Sequence, residues 1–460
     1  MVHKMVMLDQ TPVTLSNNHF SAHQFAQDLA RKTSQQDAFF VADLGNVQML
    51  VDEWISKMPR VQPFYAMNAN SDELLLKVLA SSGLGFHCSS RQQQELALDF
   101  VGPDRLFYTN ANWTRASLAG ALCNNVGLLG FDSEADLKRM ANGKITNQII
   151  LNVRMDEESV IGCDVSKAPE ILQLAADFEL DCVGVSFNIC SQRPGLFDSI
   201  FECAAQLFAI GRSMGLNMHV LNLGSGFPSP FAQVSPSFDQ ICDQINISLD
   251  YYFPQEKNQN VAIIATPGRC FVSSVYSLAT RIVDKIETDA SEITNDDFDA
   301  GQQAFIYKLS EGYYGPFGCR VVPNCNPECL PLFAELEEDQ SPDLFYGRIH
   351  GPTNDELDVV QKQCQFKQMN AGDWLLWSNM GAYSMNNAES LDDEPCAAPQ
   401  VYYFSKDSEW KFTDNSNDFS EVFPDTLENE PCCDDGESSE TSEDSAIEVD
   451  YFWTVDWPNI

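Results

Sequence analysis

The chain has 460 residues, a formal net charge of -40, and 44% hydrophobic residues including 30 phenylalanines. This length exceeds what one compact core usually holds, so we expect two or more domains with real apolar cores. The excess of carboxylates argues against nucleic acid and anionic membranes as partners, because both carry negative charge themselves.

The amino terminus lacks the apolar run of a signal peptide, and we see no stretch long enough to span a bilayer. Fifteen cysteines, an odd number, are scattered along the chain, as is typical of reduced cytosolic thiols. Cys325 and Cys329 in CNPEC, and the neighbours Cys432 and Cys433, lack the further ligands of a zinc site. We therefore expect no metal, and a cytoplasmic or additionally nuclear location.

Strand-like and helical runs alternate from Ala38 to Val275. The strand candidates are AFFVADLG, QPFYAMN, LGFHC, RLFYTN, VGLLGFD, QIILNV, CVGVSFNI, HVLNLGSG and VAIIATPG. The helical candidates have apolar residues three and four positions apart, and they are DELLLKVLASSG, QQQELALDF, SEADLKRMAN, APEILQLAADFE and FECAAQLFAIGRSMG. This alternation predicts a parallel sheet with crossover helices, and the strand count favours a (β/α)8 barrel over residues 38–275.

Helical periodicity fades after about Tyr276. LATRIVDKIE, AFIYKLSEG, FYGRIHGP, GDWLLWSN and QVYYFSKD predict antiparallel strands, which we interpret as a β-sandwich domain of residues 276–411 together with residues 1–37. Residues 412–460 contain no Lys or Arg and are rich in Asp, Glu, Ser and Thr. Such a composition cannot bury enough apolar surface to fold, so it predicts a disordered acidic tail.

Several turns after predicted strands carry residues suited to an anion. In HVLNLGSGFP, the small residues Gly224, Ser225 and Gly226 let backbone amides approach a phosphate. Arg269 in ATPGR and Tyr383 in NMGAY would pair with the same anion. Each feature has an ordinary alternative, namely a simple turn, a surface arginine and an aromatic corner.

The order of these motifs is more specific than any one of them. PFYA-x-N-A-N, GLGF-x-C-S-S, VGVSF, LNLGSGFP, PGR, EG-x-YG-x-F, GPT-x-DELD, GDWL and NMGAY resemble the eukaryotic ornithine decarboxylase family, from about Phe39 to Phe404. The resemblance implies the fold of a pyridoxal-phosphate decarboxylase, an alanine-racemase-like (β/α)8 barrel followed by a β-sandwich. The family also has a catalytically inactive branch, the antizyme inhibitors.

The resemblance assigns roles to positions at which this chain departs from active members. Asn68 stands in place of the lysine that forms an imine with the cofactor, which an amide cannot do. Thr266 replaces the glutamate that pairs with the pyridinium nitrogen, and Asn188 replaces the histidine stacked on the ring. Asn354 replaces the cysteine that serves decarboxylation across the dimer interface, and His87 replaces an active-site aspartate.

A further acidic position, which reads the distal amine of the substrate, aligns with Pro323. The retained positions are the phosphate-binding residues Gly224, Ser225, Gly226, Arg269 and Tyr383, and Asp355 of the substrate slot, placed on a turn expected to enter a helix. Each lost buried contact is worth roughly 1.5–3 kcal/mol of cofactor binding. We therefore expect a pseudoenzyme without catalytic residues, with at most weak non-covalent binding of pyridoxal phosphate.

The favoured hypothesis is a regulator of polyamine homeostasis that, like antizyme inhibitors, binds antizyme in place of the decarboxylase. In the family antizyme contacts a barrel segment that matches residues 118–144. The contact candidates, on the helix SEADLKRMAN, are Glu134, Asp136, Leu137, Lys138 and Arg139. Ala119 departs from the lysine of strong binders, and these helix residues are also consistent with ordinary amphipathic surface.

The alternative hypothesis is a diverged pyridoxal-phosphate decarboxylase that acts on ornithine or another basic amino acid in putrescine biosynthesis. The retained Arg269, Tyr383 and Asp355 favour it, whereas Asn68 opposes it. We further expect a monomer or weak homodimer, since contacts shared across the family dimer would serve no chemistry here. The acidic tail is expected to engage the proteasome, with a ligand mimic or a solubilising segment as alternatives.

Overall fold

The computed structural model describes most of the chain. The described residues are 4–16, 21–32, 35–155, 161–188, 196–232, 234–256, 260–322, 325, 327–333, 344–353, 355–385, 398–406, 408 and 410. The predicted acidic tail, residues 412–460, lies outside the described residues, and so do Pro323 and Asn354.

Strands and helices alternate through the first part of the chain, and strands dominate the last part. The strands are β1 (Lys4–Leu8), β2 (Thr11–Ser16), β3 (Phe39–Asp43), β4 (Val61–Ala66), β5 (Gly85–Cys88), β6 (Leu106–Tyr108), β7 (Leu128–Phe131), β8 (Gln148–Arg154), β9 (Cys163–Asp164), β10 (Cys182–Asn188), β11 (Val220–Asn222), β12 (Ala262–Ala265), β13 (Tyr276–Asp289), β14 (Gln303–Leu309), β15 (Cys329–Pro331), β16 (Phe345–His350), β17 (Val359–Phe366), β18 (Trp374–Trp377) and β19 (Gln400–Lys406). The helices are α1 (Ala22–Ala30), α2 (Leu44–Lys57), α3 (Glu73–Ser81), α4 (Arg91–Leu98), α5 (Arg115–Cys123), α6 (Glu134–Asn142), α7 (Ala168–Asp177), α8 (Leu196–Ser213), α9 (Phe238–Tyr252), α10 (Arg269–Val272) and α11 (Ala290–Thr294). Within the described ranges, none of these helices combines the length and apolar character needed to cross a bilayer.

Eight parallel strands close into a barrel. Strands β4 to β8 and β10 to β12 pair with their successive neighbours, and β10 pairs with β8, so the sheet returns on itself. Apolar side chains from these strands fill the interior, namely Phe64, Phe107, Leu128, Ile150, Val183, Val220 and Ile264. The predicted (β/α)8 barrel is confirmed, and its filled interior leaves the carboxyl ends of the strands as the place for a site.

The remaining strands form a second, mostly antiparallel sheet. Its main order is β1-β2-β19-β3-β13-β14-β16-β17, with β18 paired to β13 and β15 paired to β18. Parallel pairing occurs where β19 meets β2 and β3, and where β14 meets β16. A second β unit after the barrel is thereby confirmed, while the domain boundaries at residues 38, 276 and 412 stay a prediction.

The assignment of AFFVADLG to the parallel barrel sheet is wrong. This run forms β3, which pairs antiparallel with β13 and parallel with β19 in the second sheet. The reason is that both faces of β3 are buried, with Phe40 and Ala42 in one apolar cluster and Phe39 and Val41 in another. A strand buried on both faces has no alternation that distinguishes it from a barrel strand.

Gly184 in β10 lies where two neighbouring barrel strands approach each other closely. A Cβ atom at this position would lie 1.7 Å from the backbone carbonyl oxygen of Val220 in β11. Because backbone cannot move aside as a side chain does, we expect Gly184→Ala to lower the free energy of unfolding by about 2–3 kcal/mol. Denaturant unfolding followed by circular dichroism measures this loss.

Gly120 in α5 provides the matched control. A Cβ atom there meets nothing within 4 Å. Gly120→Ala should leave stability unchanged or raise it by up to about 1 kcal/mol, because alanine favours helix. Equal unfolding midpoints for the Gly184 variant and the unchanged protein would contradict the packing described here.

Candidate functional site

A cavity of about 330 Å³ lies at the carboxyl ends of the barrel strands. It brings together seven residues that the sequence singled out: Asn68, His87, Ser225, Gly226, Thr266, Arg269 and Tyr383. His87 lies in β5, and the others follow β4, β11 and β12, except for Tyr383, which comes after β18 of the second sheet. Residues distant in sequence therefore share one site where barrel proteins usually place theirs.

Asn68 lies in the turn between β4 and α3. It is exposed, whereas its neighbours Met67 and Ala69 are buried. The backbone amide of Met67 donates to the carbonyl oxygen of His87 at 3.0 Å, and the amide of Tyr383 donates to the carbonyl oxygen of Ala69 at 2.7 Å. The main chain thus presents the side chain of residue 68 at the cavity, and what it presents is a neutral amide.

Asn70, which sequence reasoning did not assign, fastens this turn to the second sheet. It is 1% exposed, its Nδ2 donates to the carbonyl oxygen of Gly381 at 2.9 Å, and its Oδ1 accepts from the amide of Asp72. Asp72 in turn caps α3 and accepts a hydrogen bond from Tyr403 of β19 at 2.5 Å. The second asparagine of the NAN motif was the available signal, and its role is positional.

The glycine loop after β11 follows the prediction only in part. Gly224 and Gly226 have φ angles of +79° and +96°, which glycine adopts without strain. The amide of Gly224 is already donated to Asn222 Oδ1 at 3.0 Å, and Gly224 is not among the residues that line the cavity. Ser225 and Gly226 are therefore the members of the loop that line the cavity.

Asn222 is a second positioning residue that the sequence reasoning missed. It is 2% exposed, and its Nδ2 donates to Ser186 Oγ of β10 at 2.9 Å. Its side chain ties β11 to β10 and holds the start of the glycine loop at the same time. A polar residue directly before LGSG was the available signal.

Arg269 supplies positive charge at the cavity. It begins α10 directly after β12, and its guanidinium lies close enough to Tyr383 to affect the phenol. Burial raises the pKa of Tyr383, and the Arg269 charge partly opposes that rise. The phenol therefore stays protonated at neutral pH and is able to donate a hydrogen bond to an anion.

His87 and Thr266 add neutral polar groups to the wall. The His87 Nε2 lies 2.9 Å from Thr109 Oγ1, and its ring is 5.0 Å from the ring of Phe107. Burial lowers the pKa of His87 to about 4, so the ring is neutral at pH 7. Thr266 is 5% exposed and carries no charge. His87 and Thr266 therefore offer hydrogen bonds and no charge at neutral pH, and the low pKa of His87 makes its ring a weak base.

Asp355, a further predicted site residue, is not among the described residues that line the cavity. Asp355 is exposed, and its carboxylate accepts from the amide of Leu357 at 2.8 Å and from the hydroxyl of Tyr314 at 2.7 Å, which together lower its pKa. The turn it occupies leads into strand β17, so the expected helix after HGPTNDELD is wrong. Asn188 ends β10, where only its backbone is described.

The predicted contact helix is α6. Glu134 and Lys138 are exposed and paired with each other at 2.6 Å. Arg139 is exposed and pairs with Asp136 at 3.0 Å, whereas Asp136 is 7% exposed and Leu137 is completely buried. The outer face of α6 therefore offers the charges of Glu134, Lys138 and Arg139, while Leu137 packs into the barrel core.

Comparisons with known proteins agree with the barrel fold. Residues 44–273 match the family model described as the pyridoxal binding domain of pyridoxal-dependent decarboxylases. The structure of the arginine decarboxylase of Paramecium bursaria Chlorella virus superposes with a TM-score of 0.73 at 23% identity, over 83% of this chain and 100% of that chain, which supports the fold alone.

Two curated relatives of different kinds have nearly equal similarity. An ornithine decarboxylase of Panagrellus redivivus is 32% identical over 378 residues, 80% of this chain and 86% of the relative. Antizyme inhibitor 2 of Xenopus laevis is 30% identical over 423 residues, 88% of this chain and 90% of the relative. Identity alone therefore does not separate the two kinds. The chain belongs to the pyridoxal-dependent decarboxylase family that contains ornithine decarboxylases and antizyme inhibitors.

Proposed function

We propose that this protein is a non-catalytic member of its family that regulates polyamine homeostasis by binding antizyme. The observation that carries the proposal is Asn68 at the cavity, on a turn whose backbone is held from both sides. A lysine amine is required at that position for covalent catalysis with pyridoxal phosphate, and an amide forms no imine.

The residues of the cavity suit the phosphate group of pyridoxal phosphate, but not its aldehyde or its pyridinium nitrogen. Ser225, Gly226, Arg269 and Tyr383 suit a phosphate, because they combine a glycine-containing loop, a cation and a hydroxyl. The aldehyde finds no lysine among the described residues that line the cavity, and Thr266 offers no negative charge to a pyridinium nitrogen. These residues support no catalytic step through the cofactor, and we expect at most non-covalent binding.

The second candidate is a diverged decarboxylase of ornithine or another basic amino acid. The retained Arg269 and Tyr383, and the 32% identity to an ornithine decarboxylase, favour it. A basic substrate needs a carboxylate for its distal amine, but no acidic side chain is among the described residues that line this cavity. The lack of such a carboxylate among the described lining residues therefore favours the non-catalytic role.

Support for antizyme as the partner comes from relatives that are antizyme inhibitors and from the exposed charges of α6. We further propose that the protein is a monomer or a weak homodimer and that it lies in the cytoplasm, or also in the nucleus. The high like charge of two identical subunits weakens their association.

We predict no imine and no decarboxylation. Mixing the purified protein with pyridoxal phosphate should give no imine absorbance, and labelled ornithine, lysine and arginine should release no carbon dioxide, because Asn68 has no nucleophilic amine. Asn68→Lys should remain inactive, since Thr266, Asn188 and Asn354 are unchanged. The Panagrellus redivivus enzyme serves as positive control, and carbon dioxide release that a vitamin B6 antagonist abolishes would overturn the proposal.

We predict that antizyme binds the face of α6. Lys138→Glu should weaken binding about tenfold, because a cation that helps recognise the partner becomes an anion beside Glu134. Ala119 is exposed on α5, and Ala119→Lys should tighten binding, since strong binders carry lysine there. Titration calorimetry measures both affinities.

The matched control is Arg91→Glu in α4. Arg91 pairs with Glu95 at 2.7 Å with the same spacing and comparable exposure as the Lys138–Glu134 pair. This variant should bind within about twofold of the unchanged protein, because α4 lies outside the proposed surface. Equal losses for both variants would indicate a non-specific charge effect.

Sedimentation of the protein alone in the same buffer tests the weak homodimer, and a tight, salt-insensitive dimer would exclude it.

The acidic tail is predicted to control turnover. A chain truncated after Lys411 should be degraded more slowly than the full chain when protein synthesis is blocked, because the proteasome starts on unstructured ends. Pulse-chase measurement of the two forms in the same cells gives their half-lives. Equal half-lives would leave the tail with the solubilising role only.

A further inference from the structure

The cavity at the carboxyl ends of the barrel strands presents polar side chains that the folded chain does not use. Asn68, Ser225 and Thr266 line it, and none of their side chains makes a hydrogen bond to another described residue. Tyr383 lines it as well, and its phenol likewise has no hydrogen bond within the described part of the chain. Polar groups that a protein leaves unsatisfied in a concave site are available to a ligand.

Polar groups lie on two opposite sides of the barrel mouth. In the closed order of the eight strands, β11 stands opposite β6, and β5 is the neighbour of β6. Ser225 follows β11, whereas Thr109 follows β6 and its Oγ1 lies 2.9 Å from Nε2 of His87 in β5. All three residues line the cavity. A ligand that fills the cavity therefore meets the glycine loop on one side and the His87–Thr109 pair on the other.

Tyr383 is held at the cavity against its own backbone preference. Its φ angle is +63°, in the left-handed region that a bulky side chain rarely adopts. The amide of Tyr383 donates to the carbonyl oxygen of Ala69 at 2.7 Å, which fixes the residue in this conformation. Such strain persists where the surrounding structure maintains it, and it clusters at ligand sites. The phenol is therefore a fixed hydrogen-bond donor on the cavity wall.

The charge of the cavity indicates which ligand it accepts. Arg269 is the one side chain charged at neutral pH among the described lining residues, which include no Asp, Glu or Lys. His87 is neutral at pH 7, because burial lowers its pKa to about 4. One cation without a carboxylate suits one anionic group. An amine in the same space would lose its hydration and meet a like charge, so a basic ligand is disfavoured.

The rest of the wall suits an uncharged ring. Asn152 is 6% exposed, and its Nδ2 donates to Asp132 Oδ1 at 2.6 Å, so its amide is held in one orientation. Its Oδ1 has no donor within the described residues and can accept a hydrogen bond from a hydroxyl. Phe107, Phe187 and Phe227 supply apolar surface, against which the C–H face of a saturated ring packs.

We propose that the cavity binds a phosphate monoester whose other part is an uncharged ring with hydroxyl groups, as in a sugar phosphate. Ser225, Gly226 and Arg269 contact the phosphate, and Tyr383 donates a hydrogen bond to it. The ring lies against the phenylalanines and donates a hydroxyl to Asn152. The cavity volume of about 330 Å³ is at the small end of the range for such sites. Binding forms no covalent bond, so the inference rests on the non-catalytic part of the proposed function and not on antizyme.

Titration calorimetry of the full chain tests the ligand class. Glucose 6-phosphate and ribose 5-phosphate each carry one phosphate on an uncharged ring, and both should bind more tightly than inorganic phosphate, with a Kd of about 1 mM or lower. In glucosamine 6-phosphate an ammonium replaces one hydroxyl of glucose 6-phosphate. It should bind at least about tenfold more weakly than glucose 6-phosphate, because no carboxylate offsets its positive charge beside Arg269.

Two variants test where the ligand lies. Arg269→Gln should weaken the binding of glucose 6-phosphate at least about tenfold, because the cation that contacts the phosphate is lost. Asn68→Asp places a carboxylate of the same size in the cavity. It should shift the ratio of the two affinities toward glucosamine 6-phosphate by at least about tenfold. Near-ultraviolet circular dichroism of each variant establishes that it is folded.

The matched control is Asn217→Asp, which makes the same chemical change away from the cavity. Asn217 is exposed and lies between α8 and β11, at the amino end of that strand and therefore at the other end of the barrel. This variant should leave the ratio of the two affinities within about twofold of the unchanged protein. Equal shifts for the Asn68 and Asn217 variants would overturn the placement of the ligand.

Three further results would each overturn the proposal. They are no binding of either sugar phosphate up to about 10 mM, affinities no higher than that of inorganic phosphate, and equal affinity for glucosamine 6-phosphate and glucose 6-phosphate. These titrations contain neither antizyme nor pyridoxal phosphate. Their failure would therefore refute the ligand alone, whereas carbon dioxide release from ornithine would refute the proposed function.

Discussion

The hydrogen bonds that join the turn after β4 to the second sheet are the constraint on which the site depends. Asn70 donates to the carbonyl oxygen of Gly381, and the amide of Tyr383 donates back to the carbonyl oxygen of Ala69. Both contacts are shielded from water, so breaking one would leave a polar group unsatisfied at a cost of about 1–3 kcal/mol. Through these bonds the barrel and the chain after β18 both contribute residues to one cavity.

This arrangement lets the framework form without a lysine at position 68. The main chain around Asn68 is positioned by backbone bonds and by Asn70, so the side chain at position 68 contributes little to the fold. The same holds at Thr266, whose backbone amide bonds to Gly224 whatever the side chain. Substitution at such positions therefore costs little stability, which is consistent with the non-catalytic role proposed for this chain.

Arg269 is a positive charge at the cavity. It lines the cavity, and its charge opposes the rise that burial causes in the pKa of Tyr383. On a chain with a net charge of -40, one cation in a partly closed cavity changes the local potential strongly, because its field is screened less there than in open water. The guanidinium therefore suits an anion in the cavity better than a cation.

The sequence alone predicted the barrel and the second β unit, because strand–helix periodicity is a local property, and its motifs predicted seven of the residues that line the cavity. Only the tertiary structure placed β3 in the second sheet, since its partners β13 and β19 are far away in the chain. It likewise placed Leu137 in the core and revealed the hydrogen bonds of Asn70 and Asn222. Contacts between residues that are distant in the chain produce no periodic pattern in the sequence, so only the folded structure shows them.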